Sequence, residues 1–144
     1  MEVKQIEAVD THNLRHKILR PHQEPSDLIY PGDDDEGSFH LGAFVNDELV
    51  SVASFYIDAH PEIKDEFQYR LRGMATLKEH RGQGYSLALL NTAIPIIEKN
   101  NIHVLWCNAR KSALGFYEKV GFKVISDEFE IEPIGAHYLM EKRI

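Results

Sequence analysis

Apolar residues recur along this chain in short runs, some alternating with polar residues and some continuous, divided by turn-forming residues. Val3 to Val9 carries Val3, Ile6, Ala8 and Val9 in imperfect alternation and reads as a first strand. Asp10 or Thr11 can then cap a helix containing Leu14 and Ile18-Leu19, and Pro21 predicts its end near Arg20. Pro21 to Gly37, punctuated by prolines and glycines, reads as an irregular loop longer than usual, a feature of functional rims. Ser38 to Val45 and Leu49 to Ile57 form two strands joined around Asn46-Asp47, a hairpin turn. Pro61 to Glu66 is a polar connector, and Tyr69 to Leu77 is a fourth strand.

Leu87 to Ile97 is apolar nearly all round, which predicts a buried helix, with a kink where Pro95 deprives the Asn91 carbonyl of its donor. His103 to Cys107 is a short buried strand. Ser112 to Val120 is a helix stopped by Gly121, a residue suited to the left-handed C-terminal position. Phe122 to Ser126 and Gly135 to Met140 close the chain as strands, with Glu128 to Glu132 between them or extending the first. Hairpins combined with helical crossovers imply an α+β fold with a mixed sheet.

The 144 residues make one domain, 1–144, with enough chain for a proper core. No apolar run approaches the roughly 20 residues needed to cross a bilayer, and the N-terminus lacks the apolar stretch of a signal peptide. Cys107 is the single cysteine, so no internal disulfide forms and a cytoplasmic, reducing setting is expected. A net charge of −7 disfavours nucleic acid as a partner and mildly favours a cationic small substrate.

The chemistry concentrates between Tyr69 and Ile97. A strand runs into Arg81-Gly82-Gln83-Gly84-Tyr85-Ser86 and then into a helix. The first N–H groups of a helix lack internal partners and the helix dipole is positive there, so this turn is an anion site, and phosphate is the usual guest. The glycine spacing and following Lys-Ser/Thr of a P-loop are absent, and Leu87 stands where a dinucleotide fingerprint needs its third small residue. What remains is Arg-x-x-Gly-x-Ser, from Arg81 through Gly84 to Ser86. It resembles motif A of the GCN5-related N-acetyltransferases (the GNAT superfamily), Gln/Arg-x-x-Gly-x-Gly/Ala, whose loop holds the pyrophosphate of acetyl-coenzyme A. Ser86 departs from the last position, with a small side chain whose hydroxyl can bond a phosphate or an amide.

A second segment, Ala113 to Phe122 (ALGFYEKVGF), is similar to the Ala-x-x-Phe/Leu-Tyr-x-x-x-Gly-Phe element of the same family at every named position. On a helix, Phe116 shares a face with Ala113 and Val120, which reads as core, and Tyr117 lies about 100° away, free to face a cleft. The order of elements also matches the GNAT fold over nearly the full chain.

The resemblance implies a central mixed, mostly antiparallel sheet flanked by helices. It also implies acetyl transfer from acetyl-coenzyme A to a primary amine of a small molecule, peptide or protein, by direct attack in a ternary complex. No metal enters. By the same resemblance the fourth strand bulges and splays from the fifth, which puts Met74, Ala75 and Thr76 beside the pantetheine and thioester. Gly73 would ease that distortion. The Met74 N–H is the candidate oxyanion donor and Tyr117 the candidate proton donor to the leaving thiolate. Cofactor contacts are expected from Met74, Ala75, Thr76, Arg81, Gly82, Gln83, Gly84, Tyr85, Ser86 and Tyr117. Family members often carry Asn seven residues before the tyrosine; here that position is Arg110, so either Arg110 or Asn108 serves the cofactor. A lysine-like amine, with a pKa of about 10.4, must lose a proton, and Glu66, Glu79, Glu128, Glu130, His137 or water could take it. The acceptor and the oligomeric state, monomer or homodimer, are not written in a motif.

Other clusters are weaker. His12 and His16 have helical metal spacing without the intervening glutamate of a zinc-protease motif, which favours ordinary surface or core histidines. Asp33-Asp34-Asp35-Glu36 lacks the calcium-loop pattern and reads as a solvated loop tip, with an acidic rim for a cationic amine as the lesser reading. Rival functions are a sensor that binds an acyl-coenzyme A without turnover, and a plain nucleotide binder, which the absence of a P-loop lysine disfavours.

Overall fold

A computed structural model describes residues 1–144. Strands β1 (Glu2–Ile6), β2 (Phe39–Val45), β3 (Glu48–Ile57) and β4 (Tyr69–Thr76) form an antiparallel meander. Helix α2 (Tyr85–Lys99) crosses over from β4 to β5 (Val104–Arg110), which lies parallel to β4. The remaining strands, β6 (Lys123–Val124), β7 (Phe129–Ile131) and β8 (Gly135–Arg143), are antiparallel additions, giving the order β1-β2-β3-β4-β5-β8-β6 with β7 paired to β8. The fold is thus a mixed, mostly antiparallel sheet flanked by helices, as the hairpins and crossovers of the sequence predict.

Local chemistry explains the elements. Asn46 and Asp47 both have positive φ, 50° and 65°, the conformation that a tight hairpin turn requires. Phe39 and Phe55, directly opposed across β2 and β3, stack at 4.9 Å, and Tyr69 meets Phe39 edge-on at 5.6 Å. Gly121 ends α3 (Leu114–Lys119) at φ +100°, and the Phe122 N–H returns to the Tyr117 carbonyl.

Several sequence expectations are corrected. The first strand stops at Ile6, because Glu7 and Asp10 form a capping box that starts helical structure at Ala8, ahead of the Asp10 or Thr11 cap. The helical segment is composite: a 3₁₀ turn (Ala8–Thr11), one α turn, α1 (His12–Leu14), and a π turn (Arg15–Leu19). Helix α2 buries only the face of Leu89, Leu90, Ala93 and Ile97, while Leu87 and Pro95 are exposed; it continues unbroken through Pro95. The predicted strand Phe122 to Ser126 shortens to Lys123–Val124, and Phe129–Ile131 forms its own strand on β8.

The largest departure is Asp33, expected at a solvated tip and found buried beneath the long loop. Arg15, fully buried on the π turn, donates to both its oxygens at 2.8 and 2.9 Å. The same guanidinium donates to the Leu28 carbonyl, to Ser54 Oγ and to Tyr56 Oη, and His40 bridges Ser54 and the Asp33 carbonyl. One ion pair therefore ties the helical segment, the long loop and the face of β2 and β3 together. Burial alone would raise the Asp33 carboxyl, but hydrogen bonds from Arg15, Tyr56 and the Tyr30 N–H outweigh it and hold it at about 2.

Because this folded value lies below the ordinary 3.8, the pair's contribution is complete above that pH and is lost as pH falls toward about 2. Asp33→Asn is expected to lower unfolding free energy at neutral pH by about 3–5 kcal/mol, since it strands a buried guanidinium. It should also flatten the acid limb of stability. Urea titrations across pH check both effects.

Candidate active site

The site is built on a parting of two strands. β4 and β5 pair only at Tyr69↔Leu105 and Arg70↔Trp106, and then both run on unpaired to each other, to Thr76 and Arg110. On its other side β4 carries a bulge: Val52 faces Ala75 and Ser54 faces Arg72, so Gly73 and Met74 together oppose Ala53. Gly73 is needed twice over. Its φ is +63°, and a Cβ would sit 3.1 Å from the Tyr30 ring and 3.4 Å from Arg15 Nε.

Where β4 ends, the turn to α2 makes a groove of about 410 Å³. Gly82 and Gly84 adopt φ of +75° and +86°, which turns successive N–H groups outward. The backbone N–H groups of Gly82, Gln83, Gly84, Tyr85, Ser86 and Leu87 donate to no acceptor within the protein. Arg81, Gly82, Gly84, Tyr85 and Ser86 line the groove, with His80, Phe116 and Lys119 completing it. Ser86 is accommodated by a hydroxyl chain, Ser86 Oγ to Thr76 Oγ1 at 3.2 Å and on to Ser51 Oγ at 2.8 Å. The Gln83 side chain turns to the Glu79 carbonyl and Tyr85, and Ala75 is buried in the core, so neither side chain lines the groove.

A second cavity, about 230 Å³, occupies the open seam between β4 and β5. Met74, Asn108, Arg110 and Tyr117 all line it. Tyr117 is the buried residue of α3, packed edge-on against Phe116 and Phe122, and the only hydrogen-bond contact of its hydroxyl is Met74 Sδ at 3.9 Å. Burial, reinforced by Cys107, raises its phenol well above the usual value, so it is neutral and protonated at physiological pH. Phe116, Ala113 and Val120 pack against the core, as their shared helix face predicts, but incompletely. All three are half-buried, because α3 covers the parted seam and its inward side meets a cleft.

Asn108 Oδ1 is buried without a partner, an acceptor left over for a ligand N–H. Arg110 lines this cavity rather than the phosphate-type groove, and donates to the Leu19 carbonyl at 3.1 Å. Of the five side chains weighed as bases, His137 alone lines the cavity; Glu66, Glu79, Glu128 and Glu130 are exposed. Its Nδ1 lies 2.7 Å from the Gly135 carbonyl, which can only accept, so Nδ1 carries hydrogen and a neutral ring keeps its lone pair on Nε2. The Cys107 thiol is pushed up to about 12 by burial, which makes it an inert wall residue.

Sequence reasoning missed Lys119 in the groove and Arg20, Tyr30 and Arg72 in the cavity. Lys119 sits two residues after Tyr117, so its position was available from helix geometry. Tyr30 and Arg20 come from the variable first helix and long loop, where no spacing signals them. No group of His, Cys, Asp and Glu residues is placed to hold a metal ion. No helix is long and apolar enough to cross a membrane.

Comparison with known proteins places the family and the fold. Residues 6–122 match the model of the Acetyltransferase (GNAT) family. The chain is 42% identical over its whole length, and over 97% of the relative, to a Bacillus subtilis (strain 168) protein named Uncharacterized N-acetyltransferase YitI. The crystal structure of Escherichia coli ElaA superposes with a TM-score of 0.76 at 16% identity, covering 98% of both chains. A GNAT family acetyltransferase from Elizabethkingia anophelis with acetyl-CoA bound gives 0.70 at 16% identity, covering 99% of this chain and 97% of the other. The chain belongs to the GNAT acetyltransferase family, and it is an acetyltransferase.

Gly84→Ala is expected to destabilise the protein by about 1–2 kcal/mol through its left-handed φ alone, since the added Cβ meets nothing within 4 Å. It should also shrink the thermal stabilisation that coenzyme A confers. Lys119→Ala should weaken coenzyme A binding most at low salt, which titration at two ionic strengths reads directly.

Proposed function

We propose that the chain transfers the acetyl group of acetyl-coenzyme A to a primary amine by direct attack of the amine within a ternary complex. The observation that carries this reading is the run of unpartnered N–H groups from Gly82 to Leu87, standing at the end of a strand whose open seam leads to Tyr117. Groove and cavity are lined by neighbouring residues of β4, Thr76 and Met74, and of α3, Phe116 and Tyr117. A diphosphate held at the turn leaves the pantetheine arm to run along the seam.

The backbone of Met74, Ala75 and Thr76, on the side of β4 that has lost β5, replaces the missing ladder with bonds to the arm. Asn108, with its orphaned Oδ1, is a better partner for an arm N–H than Arg110, which can only donate. The amine nitrogen attacks the thioester carbon, and the developing oxyanion is assigned to the Met74 N–H. The carbon–sulfur bond then breaks as the nitrogen loses its proton. His137 Nε2 takes that proton and releases it through solvent to the departing sulfur, which Tyr117 meanwhile stabilises by donating a hydrogen bond. With its own proton affinity raised, Tyr117 stabilises the thiolate without giving up its hydrogen permanently. Products are the N-acetyl amine and free coenzyme A, so atoms and charge balance.

Tyr117→Phe keeps the ring contacts and removes only the hydroxyl. It is expected to retain coenzyme A stabilisation and to lower kcat by about 10²-fold, measured as thiol release with an accepted amine. Binding with undiminished turnover would exclude Tyr117 from the reaction. His137→Gln should lower kcat in the same thiol-release assay while leaving coenzyme A stabilisation unchanged.

A further inference from the structure

The cavity beside Tyr117 has an unusual charge. Arg20, Arg70, Arg72, Arg110 and His137 line it, and no carboxylate does. Arg70 pairs with Asp58 at 3.3 Å. The other three arginines form no ion pair. Arg20 donates to the Gln23 amide oxygen at 3.2 Å, Arg110 to the Leu19 carbonyl at 3.1 Å, and Arg72 has no hydrogen-bond partner.

Tyr30 gathers them. The guanidinium carbons of Arg20 and Arg72 lie 4.8 and 4.4 Å from its ring centre, and that of Arg15 lies at 3.9 Å. An electron-rich ring offsets part of the repulsion between converging cations, but it does not replace a counter-charge. Arg15 already has one in Asp33; Arg20, Arg72 and Arg110 do not. In a chain of net charge −7, whose acidic residues could have supplied partners, this pocket was left positive.

We infer that the acceptor is an amine bearing an anionic oxygen group, a carboxylate or a phosphate, and that this group seats on Arg20, Arg72 and Arg110. The inference rests on the reading of this cavity as the acceptor site. Planar guanidinium forks suit both anions. The positive wall also disfavours an ammonium and so lowers the proton affinity of the nucleophile, easing its deprotonation. A polycationic amine meets the same wall with nothing to offset the repulsion.

The test uses protein saturated with coenzyme A, titrated calorimetrically with glutamate, O-phosphoserine, phosphoethanolamine and putrescine, with thiol release measured on the same amines and acetyl-coenzyme A. At least one anionic amine is expected to bind and to exceed putrescine in kcat/KM. The amino-acid and phosphate arms tell which anion is preferred. Arg72→Gln should raise the KM or Kd for that amine roughly ten-fold or more, through loss of a charged hydrogen bond, with coenzyme A affinity unchanged. Arg20→Gln serves as the second variant should the first fold poorly. Preference for putrescine, failure of every anionic amine to bind, or an unmoved KM in both variants overturns the inference. Anion binding by calorimetry without thiol release would uphold the anion site and refute the acetyl-transfer reading instead.

Discussion

Everything functional here depends on two parallel strands that stop pairing. Parallel neighbours ordinarily bond along their shared length, yet β4 and β5 do so at only two positions before diverging. The backbone groups released on that side cannot remain dry and unpaired without a penalty. The fold resolves this by lining the gap as a cavity, so that a ligand or solvent completes the ladder. A gap between strands is a narrow slot with polar edges, the shape required by an extended chain that carries amides, such as pantetheine.

What holds the slot open is the arrangement around Arg15. The bulge at Gly73 and Met74 bends β4, and Tyr30 packs so closely over Gly73 that a methyl group would intrude. Tyr30 is fixed in turn by its N–H bond to Asp33 Oδ2 at 2.9 Å and by the Arg15 guanidinium against its ring. A single buried ion pair thereby positions the loop whose Tyr30 forms one wall of the cavity between β4 and β5. Replacing such a pair by apolar residues can match its stability. It would not supply the directional bonds that fix the loop against β3 and β4.

The framework was legible because it follows from local rules. Hairpin residues at Asn46-Asp47, the stop at Gly121 and the glycines at 82 and 84 announce backbone conformations that few other residues adopt. The left-handed turn from Gly82 to Gly84 could be located to the residue for the same reason. Legibility failed where the outcome was set by distant partners. Asp33 looks like one of four acidic tip residues, and only Arg15, far away in sequence, distinguishes it. Phe116 and Tyr117 divided their roles contrary to a simple core reading, because helical periodicity reveals a face but not what the face looks upon. The acceptor wall was least readable, since Arg20, Tyr30 and Arg72 come from three separate elements with no shared spacing.

The two ends of the proposed site present positive charge by different physics, and the difference matters. At the turn, charge is met by main-chain N–H groups and a helix terminus, which are fixed in direction and largely indifferent to side-chain identity. That suits a donor that never changes. In the cavity, positive charge is presented by arginine side chains carried at the end of a helical segment and on two strands, which substitution can readily alter. The acceptor can therefore be respecified without disturbing the donor. Net acidity does not contradict a positive cavity: the charge that guides recognition is the charge lining the pocket, where low-dielectric walls keep water from screening it. Arg72, half-buried with no hydrogen bond of its own, makes the point most directly. Within the free protein its guanidinium meets the Tyr30 ring and no carboxylate, which leaves its charge available to what the cavity receives.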